Sequence, residues 1–259
     1  MILIFSIFSF ILGSALASFA SVVIYRVPNH QSIIKPNSYC ISCMKEIKWY
    51  DNIPILSYII LRGKCRSCKA KIGLFSFFLE LIGGISFLLI FLKFGFHIET
   101  IIYMLITFIL LIIFGIDYTT YEIYDFSLII FGILSLVLII YESIINKAFP
   151  TENIIGLLAG GMSFFLIRVI GKLIYKQEAL GMGDVLLMAI AGFMLGWKNL
   201  LLAILIGSLL GSIISLFLIA IKVKNKESQI AFGPYLVTGI FIAMVYGQDI
   251  IHFYLGLVM

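Results

Sequence analysis

Long apolar runs broken by short polar stretches dominate the chain. Runs able to form bilayer-crossing helices lie at 1–25, 73–95, 98–116, 126–146, 153–174, 185–197, 199–221 and 232–257. About 20 residues at about 1.5 Å each cover the roughly 30 Å apolar layer, and all but one of these runs come close to or exceed that length. The exception, 185–197, is short, so it is tilted, re-entrant or extended back into Gly183. The pattern predicts an all-α polytopic membrane protein of about eight transmembrane helices. It also sets apart one polar insert, 26–72, between the first span at 1–25 and the remaining helices at 73–259.

No positive stretch precedes the run at 1–25 and no small-residue cleavage site ends it, which predicts a permanent first helix. Gly13, Ser14, Ala15, Ala17, Ser18, Ala20 and Ser21 make part of this helix rich in small residues. Such a stretch either allows close helix packing in lipid or is the ordinary composition of a membrane helix. No internal repeat or low-complexity tract stands out.

Composition agrees with the pattern. The 259 residues are 62% hydrophobic and 12% charged, with a mean hydropathy of +1.16. Those values exclude an ordinary soluble domain and a disordered chain. The net charge of +5 does not point to nucleic acid; in a membrane protein the placement of the positive charge matters more. With eight spans, the basic residues of 26–71, 168–176 and 222–226 fall on one side, 15 of the 18 in the chain. Lys93, Lys147 and Lys198 fall on the other. The positive-inside rule puts the first group in the cytoplasm and both termini outside.

All four cysteines lie in the insert, as Cys40-Ile41-Ser42-Cys43 and Cys65-Arg66-Ser67-Cys68. Two CxxC knuckles at this separation match a four-cysteine zinc site with a closed, structural coordination shell. A redox pair or ordinary free thiols are the alternatives. Lys64, Arg66 and Lys69 would favour thiolates, and a cytoplasmic insert disfavours disulfides. Between the knuckles, Trp49 to Tyr58 interleaves aromatic and polar groups, which suits either the bilayer interface or packing against the knuckles.

Acids within or beside membrane segments are functional candidates. Asp117 follows the run at 101–116, and Asp184 opens the short run in Gly181-Met182-Gly183-Asp184. Eight spans put both at cytoplasmic helix ends, where they can meet and share a proton as a general acid–base pair. Gly181 and Gly183 would let a peptide backbone approach them. The alternative makes Asp184 a helix N-cap and Asp117 a solvated loop end. Glu122, Asp125 and Glu178 lie in the same two loops, giving them five of the 13 acids. That cluster either attracts a basic peptide or is simple loop polarity. Glu80, inside the second span, is expected to pair with a basic group or to face a polar pocket. Gly233-Pro234 opens the last span, as an ordinary helix start or as the wall of a groove. The three histidines are scattered and form no site.

Taken in order, these segments resemble the type IV prepilin peptidase family, membrane aspartic peptidases with a GxGD signature. Residues 13–28 are similar to the family's first-helix motif, and Cys40–Cys43 with 49–73 to its zinc segment. Ile116-Asp117 with Asp125 resembles the first catalytic segment, 178–185 the second, and 231–234 the motif before the last helix. Tyr124-Asp125 stands where the family commonly has Pro-Asp, and Leu186 where a lysine often follows. The resemblance implies cleavage of a basic leader from type IV prepilins or pseudopilins at the cytoplasmic face of the bacterial inner membrane. Asp117 and Asp184 would carry the peptidase chemistry, with Gly181, Gly183, Asp125 and Glu178 supporting them. It further implies N-methylation of the new N-terminus from S-adenosylmethionine, tied to the cysteine insert. No Rossmann-type glycine fingerprint for that donor is visible. A peptidase without methyl transfer, and an ion- or proton-coupled transporter using the same acids, are the other readings.

Overall fold

In lipid every backbone N–H and C=O must be satisfied within the protein, so the apolar runs can only become helices. The computed structural model describes residues 1–176, 180–222 and 231–258. Its helices are α1 (Ile2–Arg26), α2 (Leu56–Ile60), α3 (Leu74–Phe94), α4 (Ile98–Thr120), α5 (Asp125–Asn146), α6 (Thr151–Tyr175), α7 (Met182–Ala220) and α8 (Gly233–Val258). Seven of them are long and apolar enough to cross a membrane. The chain divides within α4 into two units, Met1–Ile112 and Ile113–Met259.

In the first unit the small residues of α1 do pack closely. A Cβ on Gly13 would lie 2.4 Å from the Gly83 carbonyl oxygen, and one on Gly84 would lie 2.4 Å from Ser14 Oγ. Backbone therefore meets backbone between antiparallel α1 and α3, the contact that substitutes for a hydrophobic drive inside lipid. The cap of this pair is Arg26, buried at the end of α1. Its guanidinium donates to the Ser32 carbonyl at 3.0 Å and the Asn37 carbonyl at 3.3 Å, and lies over the Tyr39 ring.

The second unit contains a long helix that is broken in two. Unbroken, the 39 residues of α7 would extend about 58 Å. The break is Gly196, at φ 73 and ψ 164, a conformation open only to glycine. A Cβ on Gly192 would lie 3.0 Å from Leu200 Cδ2, so the two arms fold against each other. The first arm packs on α6, with Gly156 against Gly192 and Gly160 against Met188. The second packs on α8, with Gly239 against Ala203 and Gly211 against Tyr235. Carbonyls freed by the break are taken up by Asn153, which donates to Phe193 at 2.9 Å, and by Asn199, which donates to Leu195 at 3.3 Å. Lys198 and Glu152 pair across the turn at 2.7 Å. The seven helices thus supply eight apolar arms, as the run pattern predicts. The short arm, 182–195, rises only about 21 Å, less than the apolar layer, so one of its ends lies below the membrane surface.

The insert carries a repeat that the sequence pattern did not bring out. In the first knuckle Cys40 N–H donates to Lys45 O, Met44 N–H to Cys40 O, and Ile47 N–H to Ser38 O. In the second, Cys65 N–H donates to Ala70 O, Lys69 N–H to Cys65 O, and Ile72 N–H to Gly63 O. Every bond recurs at an offset of 25 positions, as do the antiparallel bridges Tyr39 to Glu46 and Lys64 to Lys71. Met44 and Lys69 both take positive φ, 57 and 61. The visible trace is Cys-x-Ser-Cys followed four residues later by Ile, too short to register as periodicity.

Candidate active site and metal centre

Asp117 lies in the last turn of α4 and is 5% exposed, so it is no solvated loop end. Asp184 is the third residue of α7, and Gly181 is that helix's N-cap. The Gly181 N–H donates to Asp184 Oδ2 at 3.2 Å. Asp184 therefore closes the helix start from inside, and glycine offers no side chain to return the bond. The two carboxylates lie close enough for the charge of Asp184 to act on Asp117. Asp117 Oδ2 and Asp184 Oδ1 are both buried without a hydrogen-bond partner. Two such oxygens on neighbouring acids are costly unless something else is to be bound there.

Gly233 was visible as a motif but not as a member of this site. A Cβ there would lie 2.6 Å from Asp117 Oδ2 and 2.9 Å from its Cγ. The Gly233 N–H hydrogen-bonds the Asp117 carboxylate. Close approach, rather than a helix kink, is what this position requires. Gly183 has a similar constraint, since a Cβ there would meet Ile123 Cβ at 2.8 Å. Gly181 is looser, with its nearest neighbour, Asp184 Oδ2, at 3.4 Å. Asp125 is the exposed first residue of α5, where an acid complements the helix dipole. Glu178 lies outside the described residues.

The four cysteine sulfurs lie within 4.8 Å of one another, and none is in a disulfide. Tetrahedral coordination at about 2.3 Å puts neighbouring sulfurs about 3.8 Å apart. Cys40 Sγ and Cys68 Sγ are 3.8 Å apart. The cluster thus fits one tetrahedral ion bound by two thiolates from each knuckle. Backbone N–H groups of Cys68 and Ser67 pull the Cys65 thiol down to about 6. Cys68 accepts from the Ala70 N–H, which lowers it, yet desolvation and the surrounding sulfurs push it up to about 11. The segment between the knuckles packs against one of them. Asp51 grips Arg66 through two hydrogen bonds from Nε and Nη2, at 2.8 and 2.6 Å, which ties it to the second knuckle. Trp49 and Ile60 remain exposed, as an interfacial segment needs.

Among the described residues no ion pair joins Glu80 to a basic group, and Glu80 instead lines a cavity of mixed polar and apolar character. The cavity, about 640 Å³, lies in the first unit among α1, α3 and the insert. It is within the size range of small-molecule sites.

Comparison with known proteins gives these sites a context. Residues 11–94 match the family described as Bacterial Peptidase A24 N-terminal domain, and residues 104–216 match the Type IV leader peptidase family. A Prepilin leader peptidase/N-methyltransferase of Pseudomonas aeruginosa is 30% identical over 97% of this chain and 93% of its own. One from Bacillus subtilis is 30% identical over 95% and 96%. One from Myxococcus xanthus is 32% identical over 83% of this chain, which spans 63% of that relative. No solved structure matches the chain.

Proposed function

The chain belongs to the type IV leader peptidase family, and on that premise we propose that it cuts the leader from type IV prepilins or pseudopilins and then methylates the new N-terminus. One observation carries the peptidase part: Asp117 and Asp184 each bury an unpartnered oxygen, near enough for the charge of one to act on the other. Two carboxylates in that relation do not both ionise cheaply, so one holds a proton. The ionised carboxylate takes a proton from water as the water oxygen attacks the scissile carbonyl carbon. The protonated one donates to the carbonyl oxygen. Collapse of the tetrahedral species breaks the C–N bond, and the leaving amine takes a proton from the pair. Gly233, Gly181 and Gly183 keep side chains out of the path of the substrate backbone. A groove of about 420 Å³ lined by Gly211, Ser212, Ser215, Leu216, Phe232 and Tyr235 adjoins Gly233 and suits an apolar pilin helix. Glu122 and Asp125 give the rim a negative charge that favours a basic leader.

The orientation of basic residues supports a cytoplasmic active site in the bacterial inner membrane. Segment 26–72 carries the methyl-transfer role, while the peptidase chemistry belongs to the second unit. The four cysteines hold zinc, whose contribution is to fold an insert with little core of its own. S-adenosylmethionine, when bound, supplies the methyl group.

The test is the intact mass of a prepilin incubated with purified protein and methyl donor. Loss of the leader with gain of one methyl, absent with Asp117→Asn and Asp184→Asn, is expected. An uncut prepilin from the same genome, with the protein folded and metal-loaded, would refute the reading.

A further inference from the structure

Glu80 is the seventh residue of α3, about 9 Å along a helix that is otherwise almost wholly apolar. A carboxylate at that depth is expensive and marks a function by default. Its Oε2 accepts from the Ile55 N–H at 2.7 Å, and Ser18 of α1 faces the same group. It lines the 640 Å³ cavity together with Ser18, Phe19, Tyr58 and Phe77. The Phe77 and Tyr58 rings meet at 4.8 Å between centroids, tilted by 34°. An anion flanked by aromatic rings makes a receptor for an organic cation.

The contact to Ile55 adds a second observation. Ile55 has φ 63 and ψ −53, and the Leu56 N–H donates to the Pro54 carbonyl at 2.6 Å. That is a γ-turn of the rare positive-φ form, here centred on a β-branched residue. Such strain persists only where the surroundings hold it in place, and it concentrates at functional sites. Glu80 holds this turn from below, so one carboxylate both fixes the wall of the cavity and presents its charge to the interior.

We infer that Glu80 is the anchor for the methyl-accepting ammonium, the new N-terminus of the cleaved pilin, inside this cavity. The inference rests on the methyl-transfer reading and specifies its acceptor site. A pilin whose apolar helix stays in the bilayer delivers its N-terminus at shallow membrane depth, where Glu80 lies. The carboxylate holds the ammonium by a charge-assisted hydrogen bond and takes one proton from it, leaving a neutral amine. The sulfonium donor then supplies the methyl carbon, the amine lone pair forming N–C as C–S breaks with its electron pair left on sulfur. Polar groups of the insert, including Asn52 and Ser67, line the same cavity and offer hydrogen-bonding partners to that soluble donor.

Glu80→Gln separates the charge from the scaffold, because the amide oxygen still accepts from Ile55. The experiment uses the full-length, metal-loaded protein in nanodiscs. It measures binding of a peptide with the apolar N-terminus of a mature pilin, against its N-acetylated twin. Wild type should bind the free amine about tenfold more tightly. Glu80→Gln should abolish that preference and slow methylation at least about 100-fold, while leader cleavage, metal content and melting midpoint stay as in wild type. No preference in wild type, or an equal preference in Glu80→Gln, would overturn the anchor. Normal methylation by Glu80→Gln, with loss only in Glu80→Ala, would leave Glu80 as a prop for the turn and also overturn it. A wild-type protein that cuts but never methylates would instead refute the methyl-transfer reading, and the amine preference would still decide on Glu80.

Discussion

The cysteine cluster and the aspartate pair are built in opposite ways. The four cysteines come from two short knuckles, each closed by its own backbone hydrogen bonds, and local geometry aims the sulfurs. The two aspartates come from helices far apart in the chain and meet only because α4, α7 and α8 pack. A locally built site can be damaged without disturbing the rest. A packed site depends on helix–helix contacts well away from its own chemistry.

The largest effect that sharpens this contrast is expected from Asp117→Asn or Asp184→Asn. Either should lower leader cleavage on the order of 10⁴-fold, since paired acid–base residues act as a unit. Metal content and methylation of a pre-cut substrate should survive, as mass spectrometry of both reactions would show. The reverse experiment is Cys40→Ser or Cys65→Ser. Metal content should fall to near zero and methylation with it, while cleavage stays within about threefold of wild type. Elemental analysis and cleavage assays on one preparation decide this, and joint loss of cleavage would break the contrast.

Gly233→Ala should come next, at about 100-fold lower kcat for cleavage, because the added methyl displaces the Asp117 carboxylate. Its metal content should be unchanged. Gly196→Ala acts further away, by straining the fold-back of α7 at φ 73. About 1–3 kcal/mol of stability should be lost, read as a lower melting midpoint with cleavage falling in parallel.

The smallest effect belongs to the pair of Asp51 and Arg66, whose guanidinium is half exposed to solvent. Hydrogen bonding to Arg66 holds the Asp51 carboxyl below its ordinary value of 3.8. Its contribution is complete above that value and fades only as pH falls through the lowered folded value. Between pH 7 and 5 the pair should therefore add no pH dependence. Asp51→Asn should cost under about 1 kcal/mol in the melting of the insert.

Much of this molecule is legible from the order of its residues, for identifiable reasons. Apolar runs become spanning helices because lipid leaves the backbone no other partner. Two CxxC pairs announce a tetrahedral site because their ligands are supplied locally. Asp117 and Asp184 stand out because acids are rare at such positions. Gly233 reads as a helix start or the wall of a groove, since nothing in Gly-Pro says that a carboxylate from another helix will occupy the missing Cβ position. The knuckle repeat escaped because it lives in backbone hydrogen bonds, with few identical side chains. Asp125 stands out through its resemblance to the family's first catalytic segment, and only the fold shows that it is exposed at the start of α5.

The sequence by itself determined the membrane class, the run pattern, the paired cysteines and the two acids. Each rests on composition or on spacings of a few residues, where short-range physics is decisive. Tertiary structure decided that α7 folds back at Gly196, that Gly233 closes on Asp117, and that Glu80 meets Ile55 rather than a basic side chain. Those are contacts between surfaces distant in the chain. They depend on which faces interlock once the helices pack, and no local pattern encodes that.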